Sequence, residues 1–342
     1  MMTDRFPLKL ITASCILAVA VIWMGGFTRI TDSGLGCPDW PGCFGEMVMT
    51  TDAERLAYLQ ERYPEIHVAA HKGWIEMIHR YIATFLGFVI LVAAVIGIRK
   101  RHEPNYPAML SVALLGLVIL QGAFGAWTVT MKLLPKIVTV HLFGGLLILS
   151  VLLILRERLR RLSVGDTQAY RTRPLVMGGI VVLFIQIILG GWVSTNYAGW
   201  ACPGLISCAP GGASVAYDFK EGFDIFMEIG PNYEGGQLHL EARAAIQMVH
   251  RAGALAVVLY WGWLLWTLMR QGALARGPAM HFAGLTVVQI VFGYANVIYA
   301  VPDSLAFIHH VLAVLLLWSA WKIAFQSSIP IEEGSYGRIE HA

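Results

Sequence analysis

Charge is what this sequence lacks. Of its 342 residues only 14% are Asp, Glu, Lys or Arg, against 57% hydrophobic side chains, whereas soluble globular chains carry about 25% charged residues. A soluble globular composition is excluded. The formal net charge of +3 is too small to argue for a nucleic-acid partner. No Arg- and Ser-rich transit segment precedes the first apolar run, which favours a bacterial inner (plasma) membrane over an organelle. Cysteine is scarce too: there are five, and four of them fall in two loops.

What is present is a series of apolar runs near or above the ~20 residues that span a bilayer. They cover approximately Leu8–Phe27, Trp74–Ile98, Ala108–Val129, Ile137–Leu155, Pro174–Val193, Ala244–Leu268, Pro278–Ala300 and Leu305–Phe325. The fold class is an all-α integral membrane protein with eight transmembrane helices. The first run is too long for the apolar region of a cleaved signal peptide, and its end has a counterpart later in the chain, so it is expected to be retained. Basic residues cluster on alternate connections: Arg5 and Lys9 before the first span, Arg99-Lys100-Arg101 after the second, Arg156, Arg158, Arg160 and Arg161 after the fourth, Arg270 and Arg276 after the sixth. The positive-inside bias then makes both termini cytoplasmic. Trp74, Trp192 and Trp200 are expected as interfacial anchors on the outer side, and Trp318 and Trp321 on the inner.

The chain repeats itself. Gly25-Gly26 recurs as Gly190-Gly191, Cys37-Pro38 as Cys202-Pro203 and Cys43 as Cys208, all at an offset of 165 residues. Gln121 and His141 recur as Gln289 and His309 at an offset of 168. Such ordered landmarks mark a tandem duplication. An even number of spans per half gives both copies the same orientation, so the expectation is two parallel four-helix bundles. The division falls within the basic loop: residues 1–162 form the first half and 163–342 the second.

Within the repeat, Glu76-Met77-Ile78-His79-Arg80 is echoed by Gln247-Met248-Val249-His250-Arg251. A carboxylate and an imidazole three residues apart share one helix face, and ionisable groups inside a membrane span mark a functional site by default. His79 and His141 lie near the outer starts of spans two and four, and His250 and His309 repeat them in spans six and eight. Each half thus offers two imidazoles at matched depth. That arrangement suits a haem held between helices with both axial positions filled, which favours electron transfer over oxygen binding. Zinc would require further ligands at the same point. A lone histidine reads more simply as a proton relay or a bundle contact; a duplicated pair does not. His310 follows His309, points elsewhere on its helix and receives no role. Arg80 and Arg251 have two readings, as partners of haem propionates or as interfacial arginines whose heads reach toward water.

Cys37–Cys43 and Cys202–Cys208 have the same spacing in both copies and lie on the outer side, where disulfides persist. Two intra-loop bridges are expected, serving either as staples or as redox-active pairs. Cys15, inside the first span, is ordinary packing. Thr51-Asp52-Ala53-Glu54 has the pattern of a capping box and starts a short helix carrying Leu56, Leu59 and Tyr63. The acidic, Gly-rich stretch Ala209–Gln237 suggests no purpose.

These residues together resemble a known family. Gly26-Phe27-Thr28-Arg29-Ile30-Thr31-Asp32-Ser33-Gly34-Leu35-Gly36-Cys37-Pro38-Asp39-Trp40-Pro41, then Glu76–Arg80, then Gln121-Gly122, Gly125 and Trp127-Thr128-Val129, then His141 are similar to haem A synthases, over nearly all eight spans. The resemblance implies oxidation of a ring methyl of haem O to a formyl group, through an alcohol and a gem-diol, to give the haem A of terminal oxidases. It implies that His250 and His309 hold a haem b cofactor, that His79 and His141 receive the substrate haem, and that Glu76 is the functional acid. The cysteine pairs match as well. The partners implied are haem O, a haem O synthase that hands it over, an electron acceptor or donor and membrane lipid; the sequence leaves open whether the chain works alone or as a homo-oligomer. The residues point the same way: the half with Glu76 is the one for chemistry, and the half with Gln247 is the cofactor holder. Against this stand a bundle contact for Glu76, and for the whole chain a di-haem b electron carrier or a transporter.

Overall fold

The computed structural model describes residues 5–204, 208 and 216–331, and eight of the helices among them are long and apolar enough to cross a membrane. These are α1 (Phe6–Ile30), α3 (Ala70–Arg99), α4 (Ala108–Thr130), α5 (Pro135–Ser163), α6 (Pro174–Thr195), α8 (Leu240–Arg270), α9 (Arg276–Ile298) and α10 (Asp303–Gln326). Two short helices, α2 (Ala53–Arg62) and α7 (Phe219–Gly222), lie in the long connections. The chain is an all-α multi-pass membrane protein.

Each apolar run of the sequence falls on one spanning helix, and the ends differ for local reasons. Proline opens α1, α5 and α6, where its missing N–H has no intrahelical partner to lose. α5 runs on to Ser163 rather than stopping at Leu155, because Glu157 pairs with Arg160 at 2.7 Å and Arg161 at 2.9 Å along the same helix face. α9 stops at Ile298, since Ala300 and Val301 turn into left-handed backbone with φ of 56° and 55°.

In the first half, α1 and α4 each pack on both α3 and α5; in the second, α6 and α9 each pack on both α8 and α10. The histidine-bearing helices of each half therefore stand diagonally across a ring of four. A seam between the halves is formed by α1 and α5 against α10 and α6. Its core is continuous, with Leu149, Leu152, Leu317, Ala320 and Cys15 all fully buried. In lipid such contacts rest on close packing and buried polar links rather than on water exclusion. One such link is Trp321 Nε1 donating to Ser150 Oγ at 2.9 Å.

At one end of the seam, Arg29 lies over the Tyr197 ring at 4.2 Å and donates to Asp32 Oδ1 at 3.0 Å and to Ser194 O. The Tyr197 hydroxyl donates to Asp32 Oδ1 at 2.7 Å. Asp32 and Tyr197 occupy equivalent positions of the repeat, and both have left-handed φ, 48° and 52°. Burial, with a contribution from the neighbouring Asp32, raises the Tyr197 phenol above its ordinary value. At the opposite end, β1 (Tyr170–Arg171) pairs antiparallel with β2 (Ile329–Pro330), tying the connection between halves to the chain beyond α10.

Two local expectations are corrected. The cap of α2 is Asp52, not Thr51: its carboxylate accepts the Arg55 N–H at 2.8 Å, and an anion at that end also meets the helix dipole. Trp192 and Trp321 are not interfacial anchors. Both are buried and spend their indole N–H inside the protein, Trp192 on Gly222 O at 2.8 Å. Trp200 is exposed, as an anchor would be.

Candidate functional site

The four helical histidines share one local design. His79 (α3) rests on Gly25 (α1), His141 (α5) on Gly125 (α4), His250 (α8) on Gly190 (α6) and His309 (α10) on Gly293 (α9). A Cβ at those glycines would stand 2.9, 3.3, 3.1 and 3.0 Å from the respective Cε1 atoms. Histidines come from one diagonal of each ring and glycines from the other. No side chain larger than hydrogen leaves room for the imidazole at the closest of these contacts, so the glycines that mark the repeat are seats for the rings.

Glutamines complete the seats. Gln121 Nε2 donates to His141 O at 2.7 Å. Gln289 presents its backbone oxygen to His309 Nδ1 and its amide nitrogen to Nε2, each at 3.2 Å. Gln186 Nε2 lies 3.1 Å from His250 Nδ1 and 3.0 Å from His250 O. Sequence reasoning used Gln121 and Gln289 only as landmarks and missed Gln186, whose one signal is an amide inside an apolar span. His79 and His141 stand on α3 and α5, and His250 and His309 on α8 and α10, the helices opposed across each ring.

Buried polar atoms without a hydrogen-bond partner gather here: Nδ1 of His79 and of His141, and Oε1 of Gln186, Gln247 and Gln289. Such atoms are costly in a low-dielectric interior and call for an explanation. Among the described residues no three His, Cys, Asp or Glu side chains converge on one point, so the donor set offers two imidazoles per half and not a closed tetrahedral site. Two facing imidazoles lined by glycine fit a flat, doubly ligated haem.

Above His79 lies the feature that separates the halves. Glu76 is buried, its Oε1 pairs with Arg80, and its Oε2 accepts the Cys37 N–H at 2.9 Å. Arg80 also donates to the backbone oxygens of Asp39, Pro41 and Gly42 at 3.0, 3.1 and 2.5 Å. Asp39 in turn accepts from Phe44 N and Gly45 N. Both disulfides, Cys37–Cys43 and Cys202–Cys208, are closed. The first rests on Leu59 of α2 and Met77 of α3. In the second half Arg251 makes the equivalent clamp, donating to Cys202 O at 2.8 Å and to Gly204 O. Both arginines thus hold a cysteine loop onto a histidine helix, a use the sequence did not suggest.

The long connection between α6 and α8 reaches over the first half. Of the stretch 209–237, residues 209–215 lie outside the described residues. In the remainder, Tyr233 N donates to Lys132 O at 3.1 Å, Lys136 Nζ to Met227 O at 3.5 Å, and Glu234 stands 3.9 Å from Lys72.

With this geometry in place, comparison with known proteins is specific. The family model COX15-CtaA, described as cytochrome oxidase assembly protein, matches residues 9–321. A protein of Shewanella oneidensis named Heme A synthase is 37% identical over 310 residues, covering 90% of this chain and 92% of its own. Another of the same name from Rhizorhabdus wittichii is 31% identical, covering 88% of each chain.

Proposed function

Because the chain belongs to the COX15-CtaA family of cytochrome oxidase assembly proteins, we propose that it is a haem A synthase of the bacterial inner membrane, an oxidoreductase acting on haem O. In this reading His79 and His141 bind haem O in the first half, residues 1–162, and one ring methyl is oxidised to a formyl group. His250 and His309 hold a haem b in the second half, residues 163–342, where it would supply one-electron chemistry. The observation that carries the reading is the fourfold glycine-seated histidine, two per half on facing helices, with a buried carboxylate, Glu76, beside the first pair where the second has Gln247.

The work of the chain's own groups follows from their placement. The glycine seats and glutamines fix the imidazole planes, and so the orientation of the ring edge that must react. Orientation of this kind is worth several powers of ten in rate. Oxidation of the ring methyl would need an external oxidant or an electron acceptor, since none of the chain's own residues named here supplies one. Glu76 lies one turn before His79 and takes the protons released at the methyl carbon or steadies positive charge developing there. Its ion pair with Arg80 and the N–H of Cys37 hold the carboxylate in place. Gln247, its counterpart, can do neither.

A di-haem b carrier would share the ligands but explains neither the Glu76–Gln247 difference nor the relatives named for haem A synthesis. Expression with a haem O source, followed by haem extraction and mass analysis, tests the assignment. Haem A and its oxidised precursors are expected; haem b alone would overturn it.

A further inference from the structure

His310 is a half-buried imidazole that the proposed chemistry does not use, and it lies in the seam between the halves. Its Nε2 donates to Ile22 O of α1 at 3.0 Å. Gly26 makes that bond geometrically accessible: a Cβ there would stand 2.2 Å from His310 Nε2. In a helix the side chain at i+4 shields the carbonyl of residue i from the flank, so a glycine at 26 uncovers the oxygen of Ile22. Phe27 and Phe307 close the contact edge to face at 5.5 Å.

Gly25 and Gly26 thereby hold two imidazoles side by side. Gly25 seats His79 of its own half, and Gly26 receives His310 of the other half, the neighbour of His309. The connection between the two proposed iron-ligand sets is short: His309, the adjacent His310, its bond to α1, and the glycine under His79.

The repeat supplies an internal comparison. The counterpart of Gly26 is Gly191, and the counterpart of His310 is Leu142. A Cβ at Gly191 would stand 2.7 Å from Leu142 Cδ2, so the same contact is made on the α5–α6 side of the seam by a purely apolar pair. At this one contact the pseudo-symmetric seam is polar on the α1–α10 side and apolar on the α5–α6 side, where the nearest polar link is the separate Thr139–Thr195 hydroxyl pair at 3.4 Å. The polar side is the one that touches the helix seating His79.

We infer that His310 is a positioning residue that locks the second half onto α1 and so fixes the His79 site relative to the His309 site. The inference rests on the reading of His79 and His309 as haem ligands. Leucine at 310 would build into this contact the side chain that the equivalent contact already accommodates, so the fold has a precedent for it. Glutamine at 310 keeps a donor near the position of Nε2.

The test uses the full chain isolated with its haems, comparing the parent, His310→Leu and His310→Gln by low-temperature electron paramagnetic resonance of the ferric protein and by haem O conversion. Ring orientation at an axial ligand sets those g-values, which a simple loss of stability would not move. His310→Leu is expected to keep parental haem content, to shift the g-values of the first-half site and to lower conversion at least tenfold, with His310→Gln restoring both. If His310→Leu and His310→Gln behave alike, whether both like the parent or both unlike it, the inference is overturned. Separate His79→Ala and His309→Ala variants that keep every haem signal would instead overturn the ligand reading on which it stands.

Discussion

The backbone N–H of Cys37 donates to Oε2 of Glu76 at 2.9 Å, across 39 residues of sequence. The buried carboxylate one turn from a proposed haem ligand is thus held by the first residue of a disulfide. Its other oxygen is held by Arg80, which clamps the same loop. Acid, loop and histidine helix form one unit, and the predictions follow from that coupling.

Glu76→Gln keeps the shape of the side chain and removes its charge. Haem content should stay at the parental level while haem A formation falls about 10²- to 10⁴-fold, the usual weight of an acid or base. Mass analysis of extracted haems against time checks this. Normal haem A formation would reduce Glu76 to a bundle contact.

The two disulfides should differ in consequence. Loop closure makes each worth about 2 kcal/mol, so Cys37→Ser/Cys43→Ser and Cys202→Ser/Cys208→Ser should lower thermal stability by similar amounts. Only the first frees a backbone N–H that holds a carboxylate, since Gln247 Oε1 has no partner. Haem A formation should therefore fall further in the first variant than in the second. Equal losses would indicate that both loops act only as staples.

Gly25→Ala and Gly190→Ala each push a methyl group into an imidazole, at 2.9 and 3.1 Å from Cε1. Overpacking of this kind costs about 1–3 kcal/mol. Gly25→Ala should weaken haem retention in the first half alone, and Gly190→Ala in the second alone. Gly284→Ala, where a Cβ meets nothing within 4 Å, should change stability by no more than about 0.5 kcal/mol. Haem-to-protein ratios and absorption spectra of the purified variants report all three.

Tyr197 gives a pH signature outside the spans. Burial raises its phenol above the ordinary value of 10.0, so the folded protein holds this proton more tightly than the unfolded chain. Its stabilising contribution is present below that ordinary value and declines as pH rises through it toward the higher folded value. Tyr197→Phe should lower stability by about 1 kcal/mol at neutral pH, for the lost bond to Asp32, and should lack that alkaline decline. Thermal unfolding in detergent at a series of pH values separates the two effects.

Much of this is legible in the sequence. Spans follow from length and hydropathy, because lipid tolerates little else, and the repeat placed His79, His141, His250 and His309 at matched depth. The glycine pairs were visible as landmarks, yet their purpose was not: nothing in Gly25-Gly26 says that one glycine seats an imidazole of its own half and the other an imidazole from 284 residues away. In the sequence Arg80 and Arg251 suggest a ligand or water as their partner, because sequence shows a charge but not the carbonyls that a folded loop turns toward it. The helical phase of His310 points away from His309, toward a contact between halves that spacing within one half does not reveal.

The central claim is a division of labour between two similar halves. It is tested most directly by extracting and weighing the haems of the purified parent, His141→Ala and His309→Ala, each made with a haem O source. The parent should carry haem b together with haem O or its oxidised products, His141→Ala should lose the latter and keep haem b, and His309→Ala should lose haem b. Loss of the same haem from both variants, or haem b alone in the parent, would contradict it.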